Sequence, residues 1–166
     1  MVRRIALAAL AALGIRIPAA QAQAPEQQQG MKLRLPYAPV PENAAALANK
    51  AVEAALGVNG IVLDYTPESL RKVDEIVLGF HRDKLTMANV GETVFVMGCY
   101  IGEVFVRIDG AQWIMPGEAE RRVGFEMMGI RTRSGKFLNP LGKVMKLLEN
   151  GEEDSVMYFY TALHAG

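Results

Sequence analysis

The stretch that decides the fold covers residues 93–113, TVFVMGCYIGEVFVRIDGAQW, the longest apolar run after the N-terminal segment. It contains the only cysteine, Cys99, and the only tryptophan, Trp113. Glu103 and Arg107 are the two charges set among its apolar residues. Because buried charges are costly unless they are matched, this pair marks the first place to look for a structural or functional role.

The run is predicted to be a buried helix that ends at Asp109-Gly110 and leads into a strand through Trp113. A hairpin is the alternative, since valine and phenylalanine favour strands and Asp-Gly suits a two-residue turn. However, residues 93–108 are long for a strand and lack a period of two. Gly98 and Gly102 would share one helix face and allow close packing. We read the segment as a core helix, too short and too charged to span a membrane.

The flanking sequence predicts one α+β domain over residues 42–166. Asn89 is predicted to cap the central helix, because Glu92 follows three residues later. The order of elements gives flanking helices around a central buried helix and a three-stranded antiparallel meander, not a doubly wound sheet. Helices are predicted at 42–56, 66–80, 139–149 and 152–163, and strands at 61–65, 112–114, 123–130 and 137–138.

The N-terminus has the three parts of an export signal: basic residues at positions 3 and 4, an apolar stretch at 5–15 and an A-x-A site at 20–22. We predict a signal peptide at 1–22 and a periplasmic protein. A start at Met31 would instead give a cytoplasmic protein. Residues 23–41, rich in Pro, Gln and Ala, are predicted to be a linker or a surface-hugging arm.

Composition excludes several classes of function. The formal net charge is 0, and removal of residues 1–22, with three arginines and no acidic residue, leaves −3. Phosphate attraction is therefore a poor basis for binding, and we expect no nucleic-acid partner. One cysteine and two histidines offer neither a disulfide nor a histidine-rich metal site. We expect no metal, no cofactor and no membrane span after processing.

Four segments of the chain carry a resemblance: L-D-Y-T-P-E-S-L at 63–70, G-x-Y-x-G-E-x-x-x-R at 98–107, Trp113, and P-x-G-K-V-x-K-x-L-E-N-G-E-E-D-S at 140–155. Together they resemble a family of small bacterial proteins of unknown function. The resemblance covers about residues 61–160 and implies that the G-x-x-x-G-E segment is helical. It transfers no activity, cofactor or catalytic residue. Some proteins of this kind occur beside bacterial toxin systems, which implies a binding partner.

The candidate binding site consists of Tyr100, Glu103, Arg107 and Trp113. Glu103 and Arg107 are four apart in the acid-first order that favours a helical ion pair. In a functional site, Arg107 would bind a ligand carboxylate through two hydrogen bonds, and Glu103 would orient the guanidinium. In a structural site, the pair would tie the helix to its neighbours. In that case, removal of either partner would leave the other charge unpaired.

Other candidates for chemistry have simpler interpretations. Cys99, a possible nucleophile with His81 or His164, is expected to be a small buried side chain. The acidic residues at 149–154 lack the alternating spacing of a calcium loop. The basic residues at 131–136 are expected to form a solvated turn.

No nucleophile, base and oxyanion site assemble from the sequence, so catalytic residues are predicted to be absent. Our first hypothesis is an exported non-enzymatic protein that binds a protein or peptide. The second is a small hydrolase or ligand-binding enzyme that uses the four candidate residues. A cleft that exposes Glu103 and Arg107 together would favour the second hypothesis, and a packed pair would favour the first.

Overall fold

The structure, a computed structural model, describes residues 33–165. The predicted signal peptide and residues 23–32 lie outside this range. The described residues form an α+β domain with a central helix and a three-stranded antiparallel sheet, as predicted. Its elements are α1 Ala44–Asn59, α2 Leu70–Arg82, α3 Met87–Asp109, β1 Gln112–Ile114, α4 Glu118–Arg122, β2 Gly129–Arg131, β3 Phe137–Leu138, α5 Pro140–Asn150 and α6 Val156–His164.

Helix α3 is the centre of the core, with α1 and α5 as its main packing partners. Its buried apolar residues include Val94, Ile101 and Val104, none of which has any exposed surface. Gly98 lets α5 approach closely, because a β-carbon there would lie only 2.6 Å from a methyl carbon of Leu141. The sequence prediction of a helix rather than a hairpin is therefore confirmed.

The start of α3 corrects the capping prediction. The helix begins before Asn89, and the Asn89 side chain accepts hydrogen bonds from the backbone N–H of Thr86 at 2.9 Å and from its hydroxyl at 3.0 Å. Glu92 accepts the backbone N–H of Arg34 at 2.6 Å instead of capping the helix. This bond attaches the segment preceding α1 to the first turns of α3.

Helix α3 has 23 residues and the length and composition of a membrane-spanning helix. We expected this segment to be too short for that role, and its observed length does not bear that out. Within the fold, however, 72% of its most apolar 18-residue window is buried by other elements. That burial is characteristic of a core helix in a globular domain.

The sheet has the order β1-β2-β3, and each neighbouring pair is antiparallel. Ile130 of β2 pairs with Trp113 on one side and with Leu138 on the other. The strand predicted at 123–130 is shortened to Gly129–Arg131. Residues 123–128, which precede this strand, are irregular and include a turn in which Gly124 has a φ of +91°. Helix α4 lies before them.

The strand predicted at 61–65 is wrong, because these residues are irregular. Tyr65 has a φ of +61°, a left-handed value that a strand does not accept. Its backbone N–H donates to the hydroxyl of Tyr100 at 2.8 Å, so it has no need of a neighbouring strand. The turn places the Tyr65 side chain against α3.

Two helix ends also differ from prediction. Helix α1 continues past Gly57 and ends at Gly60, which has a left-handed φ of +66°. Helix α6 begins after a 3₁₀ turn, Glu152–Asp154, and not within it. Ser155 caps α6, since its hydroxyl accepts the backbone N–H of Tyr158 at 3.0 Å.

Candidate functional site

The four residues predicted to form a site lie together at the junction of α3 and β1. Glu103 is at the centre of this cluster, and its side chain is only 7% exposed. One carboxylate oxygen accepts the indole N–H of Trp113 at 3.0 Å, and the other accepts the Nε–H of Arg107 at 3.2 Å. Both oxygens of this buried carboxylate therefore have donors, which offsets the cost of its burial.

Gly102 makes the contact between Trp113 and α3 possible. A β-carbon at this position would lie 2.1 Å from Cζ2 of the Trp113 ring. The indole therefore lies directly against the helix backbone, within reach of Glu103 one residue later. The absence of a side chain at Gly102 therefore determines where the indole N–H of Trp113 lies.

Two further members of the cluster, Tyr65 and Asn49, were missed by sequence reasoning. The guanidinium carbon of Arg107 lies 3.5 Å from the centre of the Tyr65 ring, a cation–π contact. The Tyr65 hydroxyl donates to the side-chain oxygen of Asn49 on α1 at 2.6 Å. Burial raises the pKa of Tyr65 to about 12, with Arg107 opposing the rise and Glu103 adding to it. No sequence pattern links these residues, because the left-handed turn at Tyr65 brings them together.

Tyr100 connects α3 to the start of α2. Its ring is fully buried and stacks on Tyr65 with a centroid separation of 4.7 Å. Its hydroxyl accepts the Tyr65 backbone N–H and lies 2.5 Å from the hydroxyl of Ser69. Burial raises the pKa of Tyr100. With its hydroxyl engaged twice, Tyr100 positions Tyr65 and has no free side to offer a ligand.

Arg107 and Glu103 are buried to different extents. Its side chain is 42% exposed, compared with 7% for Glu103. Within residues 33–165 its terminal Nη atoms have no hydrogen-bond partner, whereas Nε is bonded to Glu103. The guanidinium is thus held at Nε and stacked on Tyr65, while the side chain remains partly exposed. The site is neither a deep cleft nor a sealed ion pair.

Cys99 lies on α3 with no exposed surface. Burial raises the pKa of its thiol to about 12, and the nearby charge of Glu103 adds to the rise. Both histidines are engaged elsewhere, His81 with the backbone oxygen of Leu148 at 2.9 Å and His164 with Asp109 at 3.0 Å. The geometry therefore provides no activated thiol.

The other charged clusters have local partners. Asp154 in the acidic corner accepts from Lys143 and from Asn150, each at 2.6 Å, and these bonds lower its pKa. In the basic turn, Arg131 donates to Glu120 at 2.8 Å. Across residues 33–165 no group of three or more His, Cys, Asp and Glu side chains is arranged to hold a metal ion.

Asp74 is a buried carboxylate that sequence reasoning overlooked. From α2 it accepts the backbone N–H of Val156 at 2.7 Å, that of Met157 at 3.2 Å and the hydroxyl of Ser155 at 2.7 Å. It therefore caps the positive end of α6 from a distant part of the chain. An acidic residue on the otherwise apolar face of α2 was the available signal, since such a position needs a partner.

Three surface cavities among the described residues lie away from Arg107. The largest, about 580 Å³, lies between the loop that joins α2 to α3 and the end of α5, with Leu85, Met87 and Leu148 in its walls. The other two, about 240 Å³ and 420 Å³, border the segment that begins at Leu33. The Arg107 cluster is thus a surface feature and not the lining of one of these cavities.

No family model, no curated protein and no solved structure shows a significant match to this chain. The resemblance stated from the sequence stays a prediction. Any functional argument must therefore come from the chemistry of the residues themselves.

Proposed function

We propose that this chain is an exported, non-enzymatic protein that binds a protein or peptide partner through the surface around Arg107. One observation carries the proposal. The guanidinium is held in place by Glu103 at 3.2 Å and by the Tyr65 ring at 3.5 Å, yet the Arg107 side chain is 42% exposed. A side chain fixed before binding loses less conformational entropy when a partner arrives.

The open edge of Arg107 suits a carboxylate. Two parallel Nη–H donors match the two oxygens of a carboxylate, in the bidentate geometry that arginine favours. Glu103 already neutralises the guanidinium, so long-range attraction is weak and recognition depends on contact. We therefore favour a single carboxylate on the partner, either the C-terminus of a peptide or one acidic side chain.

The engaged state of the neighbouring groups supports binding over hydrolysis. A general base must be within reach of the substrate, but the Glu103 side chain is only 7% exposed and hydrogen-bonded at both oxygens. The Tyr100 hydroxyl has two partners, and the pKa of Cys99 is too high for a thiolate near neutral pH. The hydrolase alternative lacks an available catalytic group at this cluster.

Peptide titration followed by NMR tests the proposal. Short peptides with a free C-terminal carboxylate or an acidic side chain should shift the Arg107 Nε–H signal, and amidated, neutral versions should not. Arg107→Lys should weaken binding at least tenfold, because lysine cannot make the bidentate contact. Arg122→Lys is the matched control, since Arg122 also follows a glutamate by four residues but lies on α4. Binding that survives Arg107→Lys, or no binding by any peptide, would overturn the proposal.

A further inference from the structure

A second cluster joins the last turn of α3 to the end of α6. One carboxylate oxygen of Asp109 accepts from Nε2 of His164 at 3.0 Å and from the hydroxyl of Tyr160 at 3.3 Å. The other ring nitrogen of His164, Nδ1, lies 2.8 Å from the backbone oxygen of Tyr160. The two rings stack with a centroid separation of 4.2 Å.

The partners of His164 determine its protonation. A backbone carbonyl can only accept a hydrogen bond, and an ionised carboxylate can only accept as well. Each ring nitrogen therefore has to carry a hydrogen for both bonds to form, which requires the imidazolium ion. A neutral ring can satisfy one of these two oxygens but not both.

The second carboxylate oxygen of Asp109 strengthens this assignment. It is buried and has no hydrogen-bond partner within residues 33–165. An under-solvated carboxylate of this kind is stabilised by a cation beside it. His164, whose side chain is 42% exposed, is the cation in contact with it.

We infer that His164 acts as a proton-dependent latch, which in its imidazolium form holds the end of α6 against the end of α3 and releases it when the proton is lost. The latch is separate from the proposed binding surface and does not depend on it. In this view the C-terminal turn of α6 opens more often in alkaline than in acidic solution.

The surrounding groups favour this behaviour. Asp109 on α3 and Tyr160 on α6 face the imidazole, and the charge of Glu68, from the 3₁₀ turn before α2, acts on Tyr160. Burial raises the pKa of Tyr160 to about 12, so its hydroxyl remains a donor throughout the range in which histidine titrates. The apolar ring of Phe105 lies 6.3 Å from the imidazole and adds no charge.

The pKa of His164 is raised, first by the hydrogen bond to the Tyr160 carbonyl and then by Asp109, against the opposing effect of burial. A raised value means that the folded state binds the proton more tightly than the open state. The stabilisation is thus complete below the ordinary histidine value of about 6.5. It is lost as the pH rises through the folded pKa.

Two measurements on the full chain test the latch together. NMR titration should give His164 a pKa above the ordinary value, with both ring nitrogens protonated in the folded protein below it. Hydrogen exchange should show that the last turn of α6 loses protection, relative to the intrinsic rate, as the pH rises. Between acidic and alkaline solution, the equilibrium constant for opening should rise by a factor of ten raised to the difference between the His164 pKa in the folded state and in the open state. Each measurement therefore predicts the other.

His164→Gln supplies the control, because glutamine does not titrate. In this variant, the hydrogen-exchange protection of the last turn of α6 should be independent of pH. The wild-type protein should show greater protection than the variant only in acidic solution. Asp109→Asn should lower the pKa of His164. An ordinary or depressed pKa for His164, or equal pH dependence in the wild type and His164→Gln, would overturn the inference.

Discussion

The indole ring of Trp113 lies directly against the backbone of Gly102, so closely that a β-carbon there would be 2.1 Å from ring carbon Cζ2. This contact joins the sheet to the central helix and places the Trp113 N–H 3.0 Å from Glu103. A glycine in a helix interior costs stability relative to alanine. Here that cost is offset by the contact that it allows.

Gly102→Ala is therefore expected to destabilise the domain by about 1–3 kcal/mol, the usual cost of overpacking. The rigid indole would have to move away and lose its bond to Glu103. Denaturant unfolding and tryptophan fluorescence should both change. Gly57→Ala is the matched control, since Gly57 lies within α1 with nothing within 4 Å of an added β-carbon. It should leave stability equal or raise it by up to about 1 kcal/mol. Equal effects at the two glycines would contradict this packing.

Removal of Arg107 should cost more stability than neutralisation of Glu103. Arg107→Met leaves the buried carboxylate with Trp113 as its single donor, at an expected cost of about 1–3 kcal/mol. Adding Glu103→Gln to Arg107→Met should recover part of the loss.

Arg122→Met provides the control for this pair. Arg122 and Glu118 have the same spacing, but their side chains are 74% and 81% exposed. The cost there should be below about 1 kcal/mol. An Arg107→Met loss no larger than the Arg122→Met loss would show that the Glu103 carboxylate does not need its partner.

Asp74→Ala is expected to lower stability by about 1–3 kcal/mol, since the backbone N–H groups of Val156 and Met157 lose their buried acceptor. Hydrogen exchange should be accelerated first at the start of α6. Glu75→Ala, one residue later on the exposed face of α2, is the control and should be nearly neutral. Unchanged protection of Val156 in Asp74→Ala would contradict the capping role.

Cys99 should react slowly with thiol reagents in the native protein. Its sulfur is buried and the pKa of the thiol is about 12, so the thiolate is scarce and inaccessible at neutral pH. Labelling should become fast only in denaturant. Rapid labelling of the folded chain would show that the core around Cys99 opens far more readily than its burial indicates.

The export hypothesis predicts the mass of the mature chain. Cleavage after residue 22 gives a mature chain that begins at Gln23, and mass spectrometry of the periplasmic fraction should detect it. An intact Met1, or a cytoplasmic product that starts at Met31, would contradict the export hypothesis. A substitution at Ala22 to a bulky residue should leave the precursor uncut.

The sequence allowed the central helix and the sheet to be predicted because their signals are local. The run from residue 93 to 108 has no period of two, and Gly98 and Gly102 mark a face with close neighbours. The four candidate residues lie together because three share α3 and the fourth follows the break at Gly110, and their role as a binding site stays a prediction.

The missed features depend on the tertiary structure. The left-handed turn at Tyr65 replaces a strand because a side chain, that of Tyr100, satisfies its backbone. The hydrogen-bond partners of Asp74 follow it in the chain by 81 to 83 positions, and no local pattern specifies such distant partners. The exposure of Arg107 depends on which face of the last turns of α3 is turned towards solvent. A run that is apolar on all sides has no periodicity from which that face could be predicted.

The position of α3 in the chain has a consequence during synthesis. Its cover comes from α1 on one side and from α5 on the other, and Leu141 of α5 fills the face at Gly98. A nascent chain that ends before residue 140 therefore displays an apolar helix with the length and composition of a membrane span. We expect such chains to be held by ribosome-associated chaperones or the translocation machinery until α5 emerges. Ribosome-bound chains stalled before and after α5 should differ sharply in chaperone crosslinking, with the longer ones released.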